Sequence, residues 1–86
     1  MKYTFNQLKE DLCIGREIEF VYNTKLYSLT HSTNGWIFCC EQKLLSSYHS
    51  NVHDFIQEII NCVVDDSSLE EIINHQKYME NTLFVF

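Results

Sequence analysis

The chain begins with hydrophobic positions at the spacing of an amphipathic helix. These positions are Phe5, Leu8 and Leu12. Thr4 before them and Gln7 three residues later form the pattern of a capping box, in which two side chains satisfy free N–H groups of the first turn. Gly15 can end the helix, because glycine adopts the left-handed conformation common after a last turn. The pattern therefore predicts a short N-terminal helix.

From residue 16 the hydrophobic period shortens to two, which is typical of a half-exposed strand. One face of this strand has Ile18, Phe20 and Tyr22, and the other has Glu17 and Glu19. Residues 23–24 can turn the chain into a second strand over residues 25–31. The pair Asn34-Gly35 is the strongest two-residue hairpin signal, and residues 36–41 follow it as a third strand. The sequence thus predicts a three-stranded antiparallel meander.

The helical period returns after Ser46 and Ser47. Its apolar positions form one broad face made of Val52, Phe55, Ile56, Ile59, Ile60 and Val63. A second capping-box pattern, Ser67 with Glu70, opens a shorter helix, and acidic residues near its start complement the helix dipole. Residues 83–86 are too apolar to lie free in water, so they form an edge strand, fill a gap in the core or act as an exposed docking segment.

Together these elements predict an α+β fold in which residues 1–86 form a single domain. The fold has an N-terminal helix, a three-stranded antiparallel meander, two C-terminal helices and, in one alternative for the last residues, a terminal edge strand. The 86 residues are 45% hydrophobic, enough for one modest core without cross-links. Tyr27, Trp36 and Phe38 share one face of the meander, and we expect them to belong to that core rather than to a recognition surface.

The charge of the chain limits its partners. Six basic residues against twelve acidic ones leave a formal charge of -6, which disfavours direct nucleic-acid binding through phosphate contacts. The same charge favours contact with a basic protein surface, although it can also serve solubility alone. No segment has the pattern of a signal peptide or the length of a membrane span, so we expect the chain to act in the cytosol.

Catalytic motifs are missing from the sequence. It has no glycine-rich phosphate loop, no nucleophile elbow and no pair of carboxylates at a plainly inward-facing helical spacing. A cysteine and a histidine could form a nucleophile pair, but no positional signature supports one. We therefore expect a protein without enzymatic activity.

Four histidines and four cysteines supply many nitrogen and sulfur ligands for a metal. His31 and Cys40 fall on the same face of the predicted hairpin, whereas Cys39 points to the opposite face unless a bulge turns it. His49 and His53 are four residues apart and meet if the long helix starts early enough. The sequence predicts one structural zinc, with ligands drawn from His31, Cys39, Cys40, His49 and His53.

An alternative interpretation needs no metal. In it, Cys13, Cys40 and Cys62 are small core residues, since a reduced cysteine is among the most buried residue types. His49 and His53 then lie at a polar helix start. The sequence has no Cys-x-x-Cys pair to favour zinc.

A resemblance covers the first half of the chain. The residues that show it are Ile14-Gly15-Arg16-Glu17-Ile18-Glu19-Phe20, Tyr22-Asn23, Tyr27-Ser28-Leu29 and Asn34-Gly35-Trp36-Ile37-Phe38. This strand and its Gly-Trp hairpin resemble those of short proteins common in Gram-positive bacteria and their phages. In size, acidity and lack of catalytic motifs, the chain is also similar to type II anti-CRISPR proteins, which bind and disable an RNA-guided nuclease.

The resemblance implies a non-enzymatic inhibitor that binds the type II RNA-guided Cas nuclease and blocks guide or target-DNA loading. The basic nucleic-acid channel of such a nuclease attracts an acidic ligand, so we expect Glu17, Glu19, Asp65 and Asp66 to contribute to binding. For Asp65 and Asp66, capping of the shorter helix is an alternative role. The alternative function is that of a small accessory or regulatory module of a mobile element that binds another host protein.

Overall fold

A computed structural model describes residues 2–86 of the chain. Over that range, three helices span Phe5–Cys13 (α1), Val52–Ile59 (α2) and Leu69–Asn74 (α3). Seven strands span Ile18–Tyr22 (β1), Lys25–Ser32 (β2), Gly35–Cys40 (β3), Lys43–Leu44 (β4), Val63–Val64 (β5), Ser67–Ser68 (β6) and Phe84–Val85 (β7). None of these helices is long and apolar enough to cross a membrane. The predicted α+β fold class is confirmed.

The main sheet is antiparallel and has the strand order β4-β3-β2-β1-β7, with the predicted meander at its centre. The last residues form an edge strand beside β1, with Ile18 opposite Val85, so the first alternative for this segment is confirmed. The sequence pattern does not predict β4, because two residues show no period. The chain turns at Glu41, whose φ is 54°, and Cys40 then lies opposite Lys43. Strand β3 therefore ends one residue before its expected end.

Helix α1 forms as the sequence predicts, with one of the two hydrogen bonds of the predicted capping box. Its buried residues are Phe5, Leu8 and Leu12. The Thr4 side chain accepts a hydrogen bond from the backbone N–H of Gln7 at 3.1 Å, and the helix ends before Gly15, whose φ is 90°. The N–H of Phe5 donates to Oδ1 of Asn74 at 2.8 Å. This bond fixes the first turn of α1 to the last turn of α3 and satisfies a donor that the helix itself leaves free.

The hairpin between β2 and β3 turns one residue earlier than the Asn34-Gly35 signal indicates. Ser32 lies opposite Gly35, so the loop residues are Thr33 and Asn34, and Gly35 begins β3. Gly35 has a φ of 117°, and a Cβ atom there would lie 2.6 Å from the carbonyl oxygen of His49. Glycine is therefore required both by the backbone conformation and by the close approach of the chain at His49.

The second half of the chain departs from its hydrophobic pattern after Ile59. Helix α2 ends there, and Val63 lies in β5 with 68% of its surface exposed, so its predicted place on the buried helical face is wrong. Asp65 and Asp66 have φ values of 48° and 72° and form the tight turn between β5 and β6. The alternative in which they cap a helix is therefore wrong as well.

Helix α3 begins one residue later than its sequence pattern indicates. Its capping box joins Ser68 and Glu71, not Ser67 and Glu70. Ser67 is buried in β6, and its Oγ accepts a hydrogen bond from Nζ of Lys77 at 3.2 Å. The hairpin of β5 and β6 thus contains Val63 and Ser67, which the sequence pattern assigns to the end of one helix and the start of the next.

One hydrophobic cluster joins all three helices to one face of the main sheet. It contains the buried residues of α1, α2 and α3 together with the inward-facing residues of β1, β2 and β3. Tyr27, Trp36 and Phe38 belong to it, as predicted. The rings of Trp36 and Phe55 stack with their centroids 5.8 Å apart, so the long helix packs directly on the third strand.

Candidate partner-binding surface

The three helices pack on one face of the main sheet, and we call the opposite face the outer face. Strand pairing places one row of outer-face residues side by side across all five strands: Leu44, Cys39, Ser28, Glu19 and Phe84. Ile37 is also on this face but is buried. Antiparallel sheets commonly leave one face to water or to a partner, and this row marks that face.

Exposed large apolar side chains lie on the outer face on either side of β1. Leu44 on β4 is 52% exposed and Leu26 on β2 is 42% exposed. Phe86 continues the last strand, since its N–H donates to the carbonyl of Glu17 at 2.7 Å. Phe84 and Phe86 are 54% and 65% exposed, with ring centroids 6.5 Å apart. Exposed apolar groups gathered on one face indicate an interaction site, whereas single scattered ones do not.

Glu19 on β1 and Glu17, directly before that strand, lie between these apolar groups. They share the outer face, as predicted, and two residues of a strand separate their Cα atoms by about 7 Å. Oε2 of Glu17 accepts a hydrogen bond from the backbone N–H of His31 at 2.8 Å, and both glutamates are only partly exposed. The strand therefore presents two carboxylates, one of them with a fixed orientation.

Across the described strands of the main sheet, no outer-face position is a lysine or an arginine. Lys25 lies opposite Tyr22 and Lys43 opposite Cys40, so both lysines share the helix-facing side of their strands. The other basic residues with assigned contacts lie within the helical layer: Lys9 over the Phe5 ring, Arg16 with Asp11 and Lys77 with Glu71. The strand positions of the outer face therefore contribute carboxylates and no cationic side chain, which favours a basic partner.

Asp65 and Asp66 lie elsewhere, at the tip of the β5–β6 hairpin. Oδ2 of Asp65 accepts a hydrogen bond from Nδ2 of Asn23 at 2.9 Å, which fixes the hairpin beside the turn between β1 and β2. Asn23 is six residues from Glu17, about 20 Å along an extended strand. The structure thus brings Glu17 and Glu19 together on the outer face but does not bring the two aspartates to them.

The hairpin residues of the predicted zinc site are far apart. His31 and Cys40 face the same side, as expected, but His31 pairs with Trp36 and Cys40 with Tyr27, a separation of about 13 Å along the strands. Cys39 points to the outer face because the register is regular. Burial raises the pKa of Tyr27, and its hydrogen bond with Cys40 raises that pKa further. The Cys40 thiol thus lies beside the Tyr27 side chain.

His49 and His53 do not meet as predicted, because α2 begins at Val52 and His49 precedes it in a backbone bridge to Trp36. Nε2 of His49 lies 2.6 Å from Oε1 of Glu58, a contact that no spacing rule predicts for residues nine apart. His53 is exposed on the first turn of α2. Within residues 2–86, no group of three or more His, Cys, Asp or Glu side chains could hold a metal ion. The zinc site therefore stays a prediction, without a preformed cluster.

The four cysteines have different environments. Cys13 is exposed, so its expected place in the core is wrong, whereas Cys40 and Cys62 are half-buried against the core cluster. Burial raises the pKa of the Cys39 thiol and also that of Cys62, where the Glu58 carboxylate adds to the effect. Cys39 and Cys62 therefore stay protonated at neutral pH and are weak nucleophiles.

In comparisons with known proteins, no family model, curated protein or solved structure matches the chain. The resemblance to short proteins of Gram-positive bacteria and their phages therefore depends on the motifs of the first half alone.

Proposed function

We propose that this chain is a non-enzymatic inhibitor that binds another protein through its outer face. One observation carries the proposal: exposed apolar residues lie at both sides of that face, with Glu17 and Glu19 between them and no basic residue at the strand positions described. A partner that covers such a face removes apolar area from water, which is the main favourable term in most protein association.

A basic protein fits this surface best. Apolar contact supplies affinity, while the two carboxylates favour a partner surface rich in lysine and arginine and speed the encounter with it. A channel that holds nucleic acid offers such a surface, so we take the type II RNA-guided Cas nuclease of a host cell as the target, in the cytosol. Occupation of its basic channel would block guide or target-DNA loading. This activity is the one that the resemblance to anti-CRISPR proteins implies.

Cleavage of a DNA target by a purified type II nuclease tests this target. Excess protein is added before the guide, before the target DNA or after both. Inhibition is expected in at least one of these orders, and the order that works identifies the blocked step. Full cleavage in all three would contradict the proposed target.

Charge reversal tests whether inhibition depends on the outer face. The double variant Glu17→Lys with Glu19→Lys should slow association with the nuclease about tenfold or more, because charges at an interface act mainly on the association rate. The matched control, Glu10→Lys with Glu70→Lys, changes the net charge equally at exposed positions of α1 and α3. It should inhibit like the unmodified protein. Equal effects of the two double variants would show that net charge, and not the outer face, determines binding.

The accessory-module alternative uses the same surface with another partner. It would be supported if cleavage is unaffected while the chain captures a different host protein. That capture should then be lost in the double variant of Glu17 and Glu19 and kept in the control variant.

A further inference from the structure

We propose that the outer face receives an α-helix of the partner, lying along β1, with two cationic side chains one helical turn apart. This inference rests on the proposed function, because it names the element of the partner that meets the surface. Its basis is the position of the exposed apolar residues, the spacing of Glu17 and Glu19, and the fixed orientation of the Glu17 carboxylate.

A strand added to an edge of the sheet would leave the outer face uncovered. The edge strands β4 and β7 have two residues each, so an added strand could form few backbone hydrogen bonds with them. The side chains of Phe84 and Phe86 stand out of the plane of the sheet and are reached only from above it. An element that covers them therefore lies over the strands, as a helix does in two-layer α+β packing.

A helix with its axis along β1 matches the dimensions of the acidic region. It is about 10 Å across, which is the width of the three adjacent strands β2, β1 and β7 at a spacing of about 4.8 Å. Glu17 and Glu19 are about 7 Å apart along β1, and helical residues at i and i+4 are about 6 Å apart. Two side chains at that helical spacing would lie opposite the two carboxylates.

The carboxylates determine which side chains those must be. An apolar helix over Glu17 and Glu19 would bury two negative charges without cationic partners, which opposes binding strongly. Oε2 of Glu17 is held by the N–H of His31 at 2.8 Å, whereas Oε1 makes no hydrogen bond to any residue that the structure describes. Arginine fits best, because its planar guanidinium binds a carboxylate of fixed orientation with little further loss of freedom.

Apolar contacts should extend toward β7 and not toward β4. Phe84 and Phe86 would meet apolar helical residues at i+3 and i+7, which lie beside the cationic pair on the helix surface. Leu44 lies on β4, three strands from β1 and thus about 14 Å away, outside the reach of one helix. Val63 lies on β5, outside the outer face, and is 68% exposed against 65% for Phe86, so Val63 is a matched control for Phe86.

Two synthetic peptides of identical composition test the inference. Both are helix-forming peptides of about 18 residues with two arginines and two leucines; one has the arginines at i and i+4 and the leucines at i+3 and i+7. The other has the arginines at i and i+2, on opposite sides of the helix. Fluorescence anisotropy gives their affinities for the full chain, and backbone amide NMR shifts locate the contact.

The first peptide should bind with an affinity about tenfold or more above that of the second, and it should shift the amides of β1, β2 and β7. Glu19→Gln and Phe86→Ser should each weaken binding of the first peptide about tenfold, and Val63→Ser should leave it unchanged within about twofold. Unaltered circular dichroism excludes misfolding of a variant. Equal affinities, shifts in the helical layer, shifts confined to the free edge at Leu83 and Val85, or self-association that covers the outer face would each overturn the inference.

Failure of this inference is distinguishable from failure of the proposed function. If nuclease inhibition depends on Glu17 and Glu19 but the two peptides bind alike, the helix is wrong and the inhibitor function stands. If the first peptide binds as expected but cleavage is never inhibited, the helix-binding surface stands and the nuclease target is wrong.

Discussion

Nε2 of His49 lies 2.6 Å from Oε1 of Glu58 and joins the segment before α2 to the later part of that helix. The same carboxylate accepts hydrogen bonds from the backbone N–H of Ser47 at 3.1 and 3.3 Å. On its other side, His49 exchanges two backbone hydrogen bonds with Trp36, at 2.7 and 3.0 Å. Glu58 therefore holds the connection between the sheet and α2 in place, and with it the packing of the helix on β3.

We expect Glu58→Ala to lower the free energy of unfolding by about 1–2 kcal/mol, because it removes the acceptor shared by His49 and Ser47. The Glu58 side chain is 35% exposed, so water can replace part of the hydrogen bonding that His49 and Ser47 lose. Urea denaturation measures the change, and Gln57→Ala, at an exposed neighbouring position, should cost less than about 0.5 kcal/mol. A loss at Glu58 no larger than this control would show that the carboxylate does not hold the connection.

Gly35→Ala should destabilise the protein more than Gly15→Ala. Both glycines have positive φ, 117° and 90°, so alanine strains the backbone at either site by about 1–2 kcal/mol. At Gly35 the new Cβ would also lie 2.6 Å from the carbonyl oxygen of His49, whereas no atom lies within 4 Å at Gly15. We expect a further loss of about 1 kcal/mol or more at Gly35, measured from the urea midpoints. Equal losses would mean that the chain at His49 moves aside easily.

The first half of the fold is predictable because its hydrophobic periods are long. Strand β1 alternates over five residues and α1 keeps a helical period over nine, and in both elements the apolar positions are the buried ones. The larger errors lie in elements of two residues, which have no period. Val63 fits the helical spacing of α2, but the Asp65-Asp66 turn, which lacks the usual Asn-Gly signal, places it in a hairpin.

The candidate surface is predictable only in part, for a related reason. Alternation along β1 is sufficient to place Glu17 and Glu19 on the outer face. Their apolar neighbours Phe84 and Phe86 come from the other end of the chain, and local pattern does not determine which strand the last residues join. The same limit applies to the predicted zinc ligands, since residue type and face can be derived from sequence but distances across the fold cannot.

Iodoacetamide should alkylate Cys39 slowly at about pH 7.5. An ordinary thiol has a pKa of about 8.5 and is half ionised at that pH, and the alkylation rate of Cys39 should still increase well above it. The reason is that burial raises the pKa of Cys39, so less of the reactive thiolate is present at a given pH. Peptide mass spectrometry gives the rate at each cysteine, and Cys13, which is exposed, is the internal control. Equal Cys39 rates in the folded chain and in concentrated urea would contradict the effect of burial.

Within residues 2–86 the predicted zinc ligands do not meet at one point, so the zinc predicted from the sequence requires a rearrangement of the fold. A structural zinc needs four ligands at about 2.0–2.3 Å from one ion. His31 and Cys40 are separated by about 13 Å along the hairpin, and the ring of His49 is already engaged by Glu58 at 2.6 Å. Coordination would require the hairpin and the segment before α2 to rearrange together.

The zinc prediction is tested by elemental analysis of tag-free protein and by thermal melts with and without a chelator. A chain that keeps the described geometry should contain less than about 0.1 zinc, and chelation should change its melting temperature by no more than about 1 °C, because no metal binding free energy then contributes to folding. His53→Ala should lower the melting temperature no more than His75→Ala does. His75 is the one histidine outside the predicted ligand set. A zinc site would instead be established by one zinc per chain and by a melting temperature that falls many degrees on chelation. His53→Ala, unlike His75→Ala, should then lower the melting temperature as well, and the ligands would have to regroup. The residues concerned would be His31, Cys39, Cys40, His49 and His53.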